Sequence, residues 1–256
     1  MMNSLSITVL VLTFNEAANI TRCLARLTWA KRVLVVDSGS TDDTLLICGQ
    51  FPNVEVIQQE FKSFASQCNF GLSLVKSEWV LSLDADYMVP ENFEEHCQVI
   101  SGNADGYSMR FRYLVYGRPL RSTLYPARTM LYRVSRAKYE DIGHGHRVNI
   151  DGPTEAIQHT IDHDDRKPLA RWIASQYRYA FEEADHLTDS AGESLGIADR
   201  VRIRIWPAVP AVLVYCLFWK RLILDGWPGI YYSLQRAYAE LLLSLELLDR
   251  KLRKES

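Results

Sequence analysis

The stretch "WVLSLDADY" at residues 79–87 decides the fold. Its first residues are apolar or small, as in a strand buried on both faces, yet it ends on two carboxylates, Asp84 and Asp86, one residue apart. Side chains at i and i+2 of an extended chain leave the same face, so this strand end would be strongly anionic. Two readings are open from these residues alone. One is a solvated passage from strand to loop; the other is a pair of oxygen ligands whose repulsion is relieved by a divalent cation between them.

Upstream, three further runs resemble the first: "ITVLVL" at 7–12, "RVLVVD" at 32–37 and "VEVIQ" at 54–58. The segments between them, "EAANITRCLARLTW", "TDDTLLICGQ" and "FASQCNFGLSLV", carry helical spacing. Near-continuous apolar strands alternating with helices predict an α/β fold with a mostly parallel central sheet flanked by helices. Ligands of such sheets bind beyond the carboxyl ends of the strands. The polar motifs lie at those ends: 13–16 after the first strand, 37–43 after the second and 84–86 after the fourth.

Downstream, "GYSMRFRYLVYG" and "ARTMLYRV" alternate over longer stretches, which suits antiparallel or mixed strands beside the first sheet. The segment 139–168, "YEDIGHGHRVNIDGPTEAIQHTIDHDDRKP", reads as loop-rich. Helical period returns with "LARWIASQYRYAFEEADHL", placing Trp172, Ile173, Tyr177, Ala180 and Phe181 on one face. The organisation predicted is an α/β domain at 1–199, split near residue 105 into two halves, with a helical extension at 200–256.

With 256 residues, 48% hydrophobic and 23% charged, the chain can bury a full core and has no disorder signature. A net charge of -2 argues against bulk nucleic-acid binding, although residues 200–256 carry ten Lys and Arg against five Asp and Glu. The 15-residue run "IWPAVPAVLVYCLFW" at 205–219 is shorter than the roughly 20 residues that span a bilayer and contains two prolines. Arg200, Arg202 and Arg204 precede it; Lys220 and Arg221 follow. It is read either as a helix lying on an anionic membrane or as one packed on the body or on a second copy in a homo-oligomer. The five cysteines, Cys23, Cys48, Cys68, Cys97 and Cys216, form no C-x-x-C pair and suit free thiols in a reducing cytoplasm. No secretory signal is expected, because the first strand runs straight into a polar turn.

Taken together, "VLTFNEAANI", "VVDSGSTDDT", "FASQCNFGL" and "WVLSLDADY" resemble family 2 glycosyltransferases, and in particular the branch that builds lipopolysaccharide core and other surface glycans. The resemblance implies a GT-A fold and inverting transfer from a nucleotide-diphosphate sugar, a UDP-sugar favoured, to a glycan or lipid-linked acceptor. It assigns Thr13, Phe14, Asn15 and Glu16 to the base and ribose, Asp37 to the base, and Asn69, with Gln67, to a polar contact in the pocket. Where the family often carries a basic residue before that asparagine, this chain has Cys68. Asp86 becomes the ligand of Mn²⁺ or Mg²⁺, supported by Asp84, with His163 of "HDD" as a third ligand or, read alone, part of a solvated charge run. Ser40, Thr41 and Asp43 read as structural caps.

An inverting transfer also needs a general base on the acceptor. The cluster "YEDIGHGHRV" supplies the candidates, Asp141 first, then Glu140 and His144. Two other functions keep the same sheet. A sugar-phosphate nucleotidyltransferase would want a Gly-rich basic loop after the first strand, which "TFNEAAN" lacks, and a non-catalytic nucleotide-sugar binder would suit a broken D-x-D.

Overall fold

The computed structural model describes residues 6–98, 104–142, 145–189 and 196–255. They form two compact units: one from the first residues through Gly117 together with Leu124–Arg166, the other from Arg118–Thr123 together with the chain from Lys167 onward.

The first unit begins with β1 (Ile7–Thr13), α1 (Ile20–Ala25), β2 (Val33–Asp37), α2 (Thr44–Cys48), β3 (Val54–Gln58), α3 (Phe64–Leu74) and β4 (Trp79–Asp84). It continues through β5 (Tyr87–Met88), α4 (Phe93–Gln98) and β6 (Gly106–Val115). A two-residue β7 (Arg118–Pro119) belongs to the second unit. The first unit then closes with β8 (Arg128–Arg133), β9 (Ala137–Ile142), β10 (Gly145–Ile150) and β11 (Thr154–His163). The main sheet runs β3-β2-β1-β4-β8-β6-β11-β5. β3, β2, β1 and β4 are mutually parallel, as expected, while β8 is antiparallel to both β4 and β6.

Burial accounts for the parallel half. Val9, Leu10, Val11, Val33, Leu34, Val35 and Val36 have no solvent exposure, so alternate side chains of each strand pack into helices on opposite faces. Each such side chain contributes about 1.5–3 kcal/mol. On one face, a Cβ at Gly71 of α3 would lie 2.5 Å from Leu10 Cδ1, so this helix sits on the sheet at a distance only glycine permits.

The segment read as loop-rich is mostly strand. β9 and β10 form an antiparallel hairpin with Asp141 opposite His146 and Glu140 opposite Arg147, and β11 joins the main sheet beside β6. These strands escaped the pattern because β11 is largely exposed over its first half and so needs no apolar run there.

The second unit holds α5 (Leu169–Asp189), α6 (Ile197–Ile203), α7 (Ala208–Val214) and α8 (Trp227–Glu255). Ala180, Ala184 and Leu187 of α5 pack on Leu243 and Leu247 of α8, so the second unit includes α5. Of the face expected on α5, Ala180 is buried and Trp172 half-buried, whereas Ile173, Tyr177 and Phe181 are 36%, 64% and 49% exposed. No helix among the described residues is long and apolar enough to cross a membrane.

Candidate active site

The turn after β1 and the turn after β2 are knitted together. Asp37 is fully buried; its Oδ1 accepts from Thr13 Oγ1 at 3.0 Å and from Ser40 Oγ, and its Oδ2 from the Gly39 and Ser40 amides at 2.9 and 2.8 Å. Gly39 takes a positive φ of 88° to make this bend. Asn15, also at positive φ, donates its amide to Ser40 Oγ at 2.7 Å and accepts from the Thr41 amide at 2.7 Å. The Glu16 amide donates to Thr44 Oγ1 at 2.7 Å, and its carboxylate accepts from Asn19 at 2.8 Å. The expected cap at Asp43 is absent, and Asp42 instead accepts from the Thr44 amide at 3.1 Å. What this double turn exposes is the Phe14 ring, 51% accessible at its tip. Asp37 therefore shapes the turn and presents no free oxygen to a ligand.

Asn69 is likewise spent on the fold. Its amide donates to the Tyr139 carbonyl and accepts from the Tyr139 N–H, both at 2.9 Å, which ties α3 to β9. Gln67 is buried and donates to Ser38 Oγ and the Gln59 carbonyl. Neither amide faces the pocket as expected.

At the end of β4, Asp84 is half-buried and the chain turns through Ala85 and Asp86 into β5. Asp86 meets a residue from the far end of the sheet: His163, the last residue of β11, whose Nε2 lies 3.2 Å from Asp86 Oδ2. The pairing of His163 with Tyr87 in the antiparallel β11–β5 ladder sets this approach. Tyr87, Tyr113 and Tyr125 surround the imidazole edge-on, with centroids at 5.1, 4.7 and 4.8 Å. The "HDD" run is accordingly no solvated charge cluster. Asp164 is 1% exposed and paired with Arg22 at 2.7 Å and Arg166 at 2.8 Å, and Asp165 accepts from Asn19 at 2.8 Å.

Of the three metal ligands expected, the structure brings Asp86 and His163 together. No group of three or more His, Cys, Asp or Glu side chains poised to hold a metal occurs among the described residues. A carboxylate oxygen beside an imidazole nitrogen suits a divalent cation that draws its remaining ligands from a diphosphate and water.

Asp141 sits on the β9–β10 hairpin. Its Oδ1 accepts from the Ala65 amide at 2.9 Å in the first turn of α3, while Oδ2 makes no hydrogen bond among the described residues. Glu140, on the other face of β9, accepts from Asn149 at 2.7 Å. His144 lies outside the described residues. Burial drives the Cys68 thiol well above its usual range, and the charges of Asp84 and Asp141 add to the shift. Asp84 and Tyr87 also line a cleft of about 690 Å³ with Arg128, Tyr139, Arg147 and Asn149. Arg128 is a site residue that sequence reasoning missed. It opens an ordinary-looking strand, and only the antiparallel run of β8 along β4 returns it to Asp84.

A parallel nucleotide-binding half that ends on a D-x-D, joined to a mixed half carrying an acidic hairpin, defines a glycosyltransferase of GT-A fold. Residues 8–150 match the model of Glycosyl transferase family 2, and the chain belongs to that family. An uncharacterized glycosyltransferase of Rickettsia felis is 24% identical over 98% of this chain and 92% of its own. The lipopolysaccharide core biosynthesis glycosyltransferase LpsC of Rhizobium meliloti is 24% identical over 37% of each chain. Among solved structures, S. aureus TarS 1–349 in complex with UDP-GlcNAc shares the fold at 17% identity and a TM-score of 0.52, over 96% of this chain and 92% of that one.

Proposed function

We propose that the chain is an inverting glycosyltransferase that transfers a sugar from a nucleotide-diphosphate sugar, a UDP-sugar favoured, to a glycan or lipid-linked acceptor of lipopolysaccharide or another cell-surface polysaccharide. The observation that carries this is the approach of His163 to Asp86 at the carboxyl edge of the sheet, beside a cleft that reaches the Asp141 hairpin side. The LpsC and TarS likenesses favour the acceptor class and the UDP-sugar respectively. Family membership sets the nucleotidyltransferase aside, and the intact D-x-D weighs against a mere binder.

In this reading the residues divide the work. Residues 13–16 receive the nucleotide, with the exposed Phe14 ring offering a stacking face and Asp37 holding the turn in shape. Asp86 and His163 would hold Mn²⁺ or Mg²⁺ with Asp84 in support, and a cation held there would supply positive charge to the departing nucleoside diphosphate. Asp141, anchored through one oxygen by the Ala65 amide, uses the other to take the acceptor hydroxyl's proton as that oxygen attacks the anomeric carbon opposite the leaving group. The new glycosidic bond replaces the bond to the diphosphate, with inversion. Glu140 and His144 are the alternative bases.

We further place the enzyme on the cytoplasmic face of a membrane. Trp206, Trp219 and Trp227 are 86%, 78% and 81% exposed in the helical unit, close in sequence to the exposed cations Arg200, Arg204 and Arg221.

The test is a donor screen. Purified protein with Mn²⁺ or Mg²⁺ is offered a panel of nucleotide sugars, and released nucleoside diphosphate is measured. Slow hydrolysis of one donor, abolished by EDTA and by Asp86→Asn, is expected. Turnover that survives both treatments would remove the metal from the reading, and no turnover of any donor would remove the transferase.

A further inference from the structure

The cleft beside Asp84 contains a cation that forms no direct ion pair among the described residues. Arg128 is half-buried, and among the described residues its guanidinium makes no hydrogen bond and no ion pair. It stacks on the face of Tyr125, with the guanidinium carbon 5.1 Å from the ring centroid. Burial works against its charge; Tyr125, Tyr87 and Asp84 more than offset that, so it stays protonated. A desolvated guanidinium with five donors and no acceptor is a costly arrangement, and a cation-π contact recovers only part of the cost. Arg147 and Asn149 of β10 line the same cleft, and Arg147 too forms no ion pair among the described residues.

Sheet order says which substrate this cation meets. The nucleotide turns follow β1 and β2, on one side of β4, whereas β8 lies on the other side and runs antiparallel, and its first residue, Arg128, lines the same cleft as Asp84. A group bound by Arg128 therefore lies across the D-x-D from the nucleotide.

We propose that the acceptor bears an anionic group, a carboxylate or a phosphate near the hydroxyl that is glycosylated, and that Arg128 binds it, with Arg147 at the outer edge of the cleft. This deepens the transferase reading and rests on it. The planar fork of a guanidinium fits the oxygens of either anion in a bidentate pair, which a neutral sugar hydroxyl cannot supply.

The test uses the full chain and matched probes: the methyl glycoside of a neutral hexose, the corresponding uronic acid glycoside, and the hexose 6-phosphate. With the donor found by the screen, the uronate or the phosphate should be preferred over the neutral glycoside in kcat/KM. Arg128→Ala should collapse that preference by on the order of 30-fold, chiefly through the KM of the anionic probe, while neutral-probe kinetics change far less. Which of the two anions is preferred identifies the source. Equal use of neutral and anionic probes would overturn the proposal. So would an Arg128→Ala defect that appears as a raised donor KM shared by all probes, since the cation would then serve the donor diphosphate. Calorimetric binding of the three probes to the unmodified protein, in the presence of nucleoside diphosphate, decides the matter even where the variant fails to fold: anion-selective, salt-sensitive binding supports the proposal and indifference defeats it. A protein that hydrolyses no donor but binds anionic probes selectively would contradict the transferase reading and not this one.

Discussion

At the scale of single residues, the carboxylates of this chain do two different jobs that look alike in sequence. Asp37 and Asp86 both end strands, yet Asp37 is spent inside its own turn while Asp86 is turned toward His163. Motif spacing identified both but could not separate them, because the hydrogen-bond partners of Asp37 are its own neighbours and the partner of Asp86 arrives from the far end of the sheet. Arg128 gave no signal at all, since strand register alone brings it to Asp84. For the base, the geometry permits a clean substitution. Asn at position 141 keeps an oxygen to accept the Ala65 amide but has no basicity, so Asp141→Asn should leave stability nearly unchanged and lower transfer by on the order of 10²-fold or more. Steady-state transfer and a thermal melt together check this. Normal transfer by Asp141→Asn alongside failure of Glu140→Gln or His144→Ala would hand the role to that neighbour.

At the scale of elements, the parallel half was legible because β1, β2 and β4 are buried on both faces and are nearly continuous in apolar residues, while the edge strand β3 is only partly buried yet keeps its valines and isoleucine. The β9–β10 hairpin and the first part of β11 were not, since strands that are half exposed carry polar residues and need no run of hydrophobes. Apolar packing of Tyr139, Val148 and Ile150 holds the hairpin to the body, and one side chain of α3 ties its backbone. Asn69 satisfies both the N–H and the carbonyl of Tyr139, much as a neighbouring strand would. Tyr139 in turn links by its hydroxyl to Tyr132 at 2.7 Å and to Ser82 at 3.1 Å, joining β9 to the strands of the sheet. Asn69→Ala should strand two backbone groups and cost about 1–3 kcal/mol for each that water does not reach. The melting temperature should fall by several degrees, and transfer should fall as well because Asp141 lies two residues from Tyr139. A melt unchanged by Asn69→Ala would mean that apolar packing and the β10 ladder hold β9 without it.

At the scale of the whole molecule, the helical unit raises the question of what covers its aromatic surface. Its basic and apolar composition was plain in the sequence, but its extent was not. The apolar residues of α5 spread over a wide face, of which Ala180, Ala184 and Leu187 pack on α8 while Ile173, Tyr177 and Phe181 stay exposed. Truncation at residue 200 is therefore a poor test, for it would uncover Ala180, Ala184 and Leu187 and cause aggregation whatever the surface does. Substitution of residues already exposed is a better one. Trp206 and Trp219 contribute little to folding at their high exposure, so Trp206→Glu with Trp219→Glu should melt within a degree or two of the parent. If the surface rests on lipid, the parent should float with vesicles rich in anionic lipid and less with neutral ones. High salt should weaken this without abolishing it, because attraction of about 1 kcal/mol per basic residue is screened and burial of indole is not. Arg202 should matter less than Arg204 in that attraction, being already engaged by Glu183, Asp199 and Glu240. The double variant should stay with the soluble fraction. A parent that ignores anionic vesicles but sediments as a dimer, and a double variant that sediments as a monomer, would assign the same surface to a second copy of the chain.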